Sequence, residues 1–133
     1  MLYIEDKLRK LCEYFKSQSN ILAVWIVGSY GTIYQREDSD IDFAILFNSN
    51  ISIMEEMQVA TDISLILNFE NVDTIDLLKA PMTLKFKAIK EGRNIYEADE
   101  IKVCDFIEYV IRRYPDEKYY YDKFLEDFKE SYK

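Results

Sequence analysis

Seven consecutive apolar residues, Ile21 to Val27, run straight into Gly28, and a second strand-like stretch begins at Asp40 and ends at Phe47. A short continuous run rich in valine and isoleucine has the length and content of a strand buried on both faces. Such strands need covering layers on both sides. The chain therefore reads as mixed α/β (α+β): a small mixed β-sheet with flanking helices.

The remaining sequence supplies those helices. Ile4, Leu8, Leu11 and Phe15 recur at helical spacing and predict an amphipathic helix over Tyr3 to Phe15, followed by a polar break from Ser17 to Asn20. Ser29 to Ser39 reads as a loop holding a short helix, and Asn48 to Asn50 as a turn. Ser52 with Glu55 three positions on is a capping-box pattern and predicts a helix to about Asn68. Val72 to Leu77 reads as a short strand. Pro81 suits the first residue of a helix that Gly92 ends. Asn94 to Tyr96 makes a last short strand. From Asp99 onward the pattern is helical, with Val103, Phe106, Ile107 and Val110 as its core stripe and a break expected near Pro115. No repeat or linker interrupts the chain. It is expected to be one domain over residues 1–133, the part from about residue 99 being a C-terminal helical segment.

Several function classes fall away on composition. There is no histidine, which removes mechanisms built on imidazole. Cys12 and Cys104, far apart and set among apolar residues, are expected to be reduced and buried. They cannot supply the four soft ligands of a structural zinc site. The net charge of -8 opposes general nucleic-acid binding and suits hard divalent cations or a basic protein partner. For the same reason Tyr114, Tyr119, Tyr120 and Tyr121 are expected at a helix end or protein interface rather than on nucleic-acid bases. No apolar run approaches the ~20 residues that span a bilayer, and the charged first ten residues lack a signal-peptide pattern. A cytoplasmic protein is expected.

The chemistry concentrates between the two apolar strands. Gly28 lets a ligand approach the backbone closely, and Ser29 offers a hydroxyl and an amide at a helix start, an arrangement that favours phosphate. Asp40-Ile41-Asp42 follows. Alternate residues of a strand share one face, so Asp40 and Asp42 point together, about 6.6 Å apart along the chain, while Ile41 and Phe43 point to the core. Two such carboxylates can share one or two Mg²⁺ ions of the kind that clamp the oxygens of a phosphoryl transfer. A third carboxylate is expected from the neighbouring strand: Asp73, with Asp76 in reserve, since only one of them can face the metal. Lys85 and Lys87 read as solvated, with a lesser chance that one reaches a triphosphate. An EF-hand is excluded, because Phe43 and Ser49 stand where that loop needs glycine and glutamate.

Gly28-Ser29 followed by Asp40-Ile41-Asp42 resembles the nucleotidyltransferase signature of the DNA polymerase β superfamily. More narrowly, the chain resembles the minimal nucleotidyltransferases (MNT), antitoxins of HEPN-domain toxins. Val72 to Leu77, Lys79-Ala80-Pro81, Glu91 to Glu97 and the helix around Asp105 to Tyr114 extend the resemblance over nearly the whole chain. The resemblance implies a polymerase β-like fold and Mg²⁺-dependent transfer of AMP from ATP to a tyrosine of a partner HEPN ribonuclease, which silences it. It assigns Gly28 and Ser29 to the triphosphate, Asp40 and Asp42 to the metals, and Asp73 to the third carboxylate place. Ile33 stands where the family often has glycine, and Gly31 can supply the flexibility instead. The alternatives are an antitoxin that neutralises its partner by binding alone, and a transferase acting on a small molecule such as an aminoglycoside.

Overall fold

The computed structural model describes residues 4–28 and 40–130. Four strands, β1 (Ile21–Val27), β2 (Ile41–Phe47), β3 (Val72–Asp76) and β4 (Arg93–Glu97), form one sheet in the order β3-β2-β1-β4. A 3-10 turn (Ile4–Lys7) leads into α1 (Leu8–Ser17), and α2 (Ile53–Leu67), α3 (Met82–Glu91) and α4 (Glu100–Glu130) follow. β1 is antiparallel to both β2 and β4, whereas β2 and β3 are parallel. A parallel pair needs a crossover, and α2 provides it.

The alternation of side chains splits the core in two. Ile41, Phe43, Ile45 and Phe47 of β2 face α1 and α2, packing with Phe15, Val59 and Ile63. Ala44 and Leu46 face the other way, with Trp25, Leu77, Ala88 and Val103 under α3 and α4. Phe15, Phe43 and Ile63 are fully buried, so removing any of these side chains would cost about 2–5 kcal/mol. Tyr14 of α1 ties the first layer together by donating to Asp62 of α2 at 2.7 Å.

The local signals act as expected at α2. The Glu55 amide donates to Ser52 Oγ at 3.1 Å, and Asn68 ends the helix in the left-handed conformation. Asp99 starts α4, its Oδ1 accepting from the Ile101 and Lys102 amides. Other expectations change. β2 begins at Ile41, leaving Asp40 just outside it. No break occurs at Pro115: α4 runs through it to Glu130. Proline there frees the carbonyl of Ile111, and that residue is half exposed, so water can satisfy the group. Cys104 is exposed, because Val103 and Ile107 take the inward face of α4, whereas Cys12 is partly buried and donates to the Ile95 carbonyl at 3.2 Å. Tyr114 is partly exposed and stacks on Phe86 of α3 with centroids 3.8 Å apart. Among the described residues no helix is long and apolar enough to cross a membrane.

Gly92 ends α3 with extended backbone rather than the left-handed cap expected of a terminal glycine. Its smallness serves packing instead. A Cβ there would stand 2.3 Å from the Ala88 carbonyl oxygen and 2.9 Å from Val27 Cγ1, where α3 turns tightly onto β1. Gly92→Ala is therefore expected to cost about 1–3 kcal/mol through overpacking. Chemical denaturation checks this, and an unchanged midpoint would contradict it.

Candidate active site

The parallel register of β2 and β3 sets Asp42 directly beside Asp73, with Ile41 beside Val72 and Ile45 beside Asp76. Adjacent strands lie about 4.8 Å apart, so the two aspartates leave neighbouring backbones on the same face. Asp40 lies two residues before Asp42, just ahead of β2. It comes close enough to Asp73 for their carboxyls to share a hydrogen bond when one is protonated. The three carboxylates expected from sequence are thus brought together on the α3 side of the sheet. Asp42 is half buried, and Asp40 and Asp73 are exposed.

Gly28 closes the arrangement from the other neighbour. β1 runs antiparallel to β2 with Val27 beside Asp42, so the chain leaves β1 next to that carboxylate. Gly28 has φ +87, and a Cβ on it would stand 2.6 Å from Asp42 Oδ2. Only glycine fits both the left-handed backbone and the contact. Ser29 and the loop after it, with Gly31, Ile33 and Arg36, lie outside the described residues.

Asp76, the reserve candidate, is not part of this group. It lies three positions after Asp73 and so falls on the opposite face, where it is buried. Its Oδ1 accepts from the Leu78 amide at 3.0 Å, and its Oδ2 lies 3.7 Å from Lys79 Nζ. Lys79 also donates to the Ile51 carbonyl at 2.8 Å. Asp76 shapes the turn after β3 and anchors Lys79.

A small cavity of about 90 Å³ opens beside Gly28 and Asp42, walled by Val27, Ile75 and Leu84 and reached by Lys87. Lys85, the other lysine considered, does not line it. Helical spacing places Lys87 beside the face that Leu84 and Ala88 define, but only the packing of α3 on the sheet brings that face to Gly28.

The electrostatics follow from crowding. Partial burial pushes the Asp42 carboxyl above its ordinary range, and the charges of Asp73 and Asp40 push it further. Asp73 is raised by desolvation, by its hydrogen bond with Asp40, and by that neighbour's charge. Among the described residues no lysine or arginine forms an ion pair with the three. Nor are three acidic side chains of the described residues drawn tightly enough to enclose an ion unaided. Among the described residues the group is an open set of oxygen donors with no cationic partner, a chemistry that fits a hard divalent cation whose remaining ligands come from water or phosphate.

Such crowding opposes folding. A carboxyl whose folded pKa is raised subtracts stability at neutral pH, and the subtraction fades as pH falls through the folded pKa towards the unfolded value. Asp73→Asn is expected to raise Tm by about 1–4 °C at pH 7 without divalent ions, allowing for solvent screening. The gain should vanish below the ordinary aspartate pKa of 3.8. Thermal melts at the two pH values check this, and a lower Tm at pH 7 would contradict it.

Comparison with known proteins identifies the fold and the family. Residues 9–101 match the family model described as polymerase beta, nucleotidyltransferase. Among functionally curated proteins none matches the chain in sequence. Solved structures share its fold at low identity. A chain of a toxin–antitoxin structure with AMP-PNP superposes with TM-score 0.77 at 21% identity, covering 96% of this chain and 99% of that one. A chain of the MntA–HepT toxin–antitoxin gives 0.74 at 17%, covering 94% and 98%. A chain of the complex of tri-AMPylated HEPN toxin from Shewanella oneidensis with MNT antitoxin gives 0.76 at 18%, covering 96% and 99%. The family match spans most of the sequence, from α1 to the start of α4, and takes in Asp40 and the strands that carry Asp42 and Asp73: the chain belongs to the polymerase β nucleotidyltransferase family.

Proposed function

We propose that this protein is an antitoxin that uses ATP and Mg²⁺ to place AMP on a tyrosine hydroxyl of a partner HEPN ribonuclease. The observation that carries the proposal is the register that sets Asp42 beside Asp73, with Gly28 against the Asp42 carboxylate. Acidic groups gathered against one another at a cost in stability, beside a glycine that admits a ligand to the backbone, are what metal-assisted phosphoryl transfer requires. The fold shared with a toxin–antitoxin structure containing AMP-PNP, and with a complex whose HEPN toxin is tri-AMPylated, supports the choice of nucleotide, reaction and partner.

In this reading Asp40 and Asp42 hold Mg²⁺, with Asp73 completing the set. When bound, Mg²⁺ neutralises charge on the phosphates as the leaving group departs. Gly28 and Ser29 seat the triphosphate through backbone amides and the serine hydroxyl. Lys87, at the mouth of the cavity beside Gly28, adds positive charge near those phosphates. The acceptor oxygen attacks the α-phosphorus in line, a P–O bond forms, the bond to the β-phosphate's bridging oxygen breaks, and pyrophosphate leaves. The phenolic proton passes to Asp73, the carboxylate beside the metal-holding pair. Most of the acceleration comes from positioning and electrostatics, with no covalent enzyme intermediate.

Asp40→Asn combined with Asp42→Asn should lower transfer of label from α-labelled ATP to the HEPN partner by at least about 10³-fold, the scale set by losing a preorganised charge site. The double variant should still fold. Undiminished labelling would defeat the assignment. Neutralisation of the toxin without labelling, in wild type and variant alike, would leave binding alone as the function.

A further inference from the structure

The proposed reaction fixes a direction across the sheet. Val27 stands beside Asp42 and Asp42 beside Asp73, so the Gly28 turn and the two carboxylates form a row over three neighbouring strands. Strands lie about 4.8 Å apart, which makes the row roughly 10 Å long. In phosphoryl transfer the attacking and leaving oxygens sit in line on opposite sides of the phosphorus. With the pyrophosphate over Gly28 on β1 and the α-phosphorus over Asp42 on β2, the acceptor oxygen arrives over Asp73 on β3. β3 is an edge strand of the sheet. The acceptor therefore enters across that edge, and the groups standing there select it.

The edge is built for a polypeptide. Asn71 gives its carbonyl, and Leu77 its amide, to β2. By the alternation of a strand, Asp73 and Ile75 also pair inward, and the peptide groups of Thr74 point out from the sheet. An extended segment laid along β3 can take them up, as in strand addition to an exposed edge. Its alternate side chains then fall on the Asp73 face, one strand spacing from that carboxylate. At the start of β3 an open groove of about 520 Å³, lined by Ser64, Leu65, Asn68, Phe69, Glu70 and Asn71, continues the same edge and has room for residues flanking the tyrosine. The edge is also anionic. From Asp40 to Leu78 the sequence has no lysine or arginine. Glu70 and Asp73 are both exposed at the carboxylate end of β3. Lys79, beyond the other end, is held by the Ile51 carbonyl and Asp76. The complement is a cationic segment, whereas a nucleic-acid acceptor would be repelled.

We propose that the outer edge of β3, with the groove at its start, is the acceptor-binding surface: an extended segment of the partner, with lysine or arginine beside its tyrosine, lies along it and presents the tyrosine over Asp73. The inference rests on the functional reading for the reaction and for the identity of the partner. Glu70 is then a specificity-determining residue, meeting the cationic side chains next to the tyrosine. Recognition of the acceptor and binding of ATP fall on opposite ends of the row, β3 and β1, and are separable by mutation.

The test is steady-state labelling of the full-length HEPN protein by the full chain, with α-labelled ATP and Mg²⁺, and mapping of the labelled tyrosine by mass spectrometry. Glu70→Lys changes one exposed side chain and should raise KM for the HEPN protein at least about tenfold, or about 1.4 kcal/mol, with KM for ATP and kcat within about twofold of wild type. Reversing the charge of the lysines and arginines beside the labelled tyrosine should restore a low KM to the Glu70→Lys chain while raising it for wild type. Thr74→Pro removes the outward amide at an edge position, where proline is tolerated, and should raise the same KM. An unchanged KM for the HEPN protein in Glu70→Lys, or a labelled tyrosine with no lysine or arginine beside it, would overturn this inference and leave the functional reading standing. Loss of ATP use together with HEPN labelling in Glu70→Lys would show a structural role and also overturn it. Failure of the wild type to label the HEPN protein at all would sink both.

Discussion

Everything at the candidate site depends on one pairing, the parallel register of β2 with β3. Side chains alternate along a strand, so a slip of one residue would turn Asp73 away from Asp42 and bury it. Apolar residues guard against the slip. Ile41, Phe43, Ile45 and Phe47 must all face α1 and α2, and every one of them is buried. The ladder is fastened at both ends: the Ile41 amide donates to the Asn71 carbonyl at 2.8 Å, and the Leu77 amide to the Ile45 carbonyl at 3.0 Å. The residues that build the core thereby aim the aspartates, though none of them approaches the site.

The two faces of the sheet are put to different uses. Towards α3 the end of β1 and the starts of β2 and β3 gather carboxylates beside a glycine. Towards α1 and α2 the strands bury an apolar core layer. The gathered carboxylates are unfavourable in the isolated chain through repulsion. Proteins hold such a feature where a ligand relieves it. The acidic net charge fits this picture: it suits a cation at the carboxylates.

Much of this was legible in the sequence because the signals were local. The Ile21–Val27 run, the capping pair Ser52 and Glu55, and the alternation through Asp42 and Phe43 each state their structure within a few residues. The choice between Asp73 and Asp76 was not local: both lie in the same short strand, and only pairing with β2 shows which faces Asp42. Lys87 needed the packing of α3 on the sheet before its position beside Gly28 could be seen. Gly92 looked like a helix terminator, but its necessity is a contact with β1, a strand more than sixty residues earlier. Pro115 misled as a local breaker, since an exposed turn can lose a hydrogen bond to water without ending the helix.

The account stands or falls on where a divalent ion binds. Crystals of the protein grown with Mn²⁺ and a non-hydrolysable ATP analogue would show the ion by anomalous scattering. The prediction is a peak at coordination distance from the carboxylates of Asp40 and Asp42, with Asp73 facing it and the phosphates lying along the Gly28 turn. A nucleotide and ion seated elsewhere, with those three aspartates contacting neither, would contradict it.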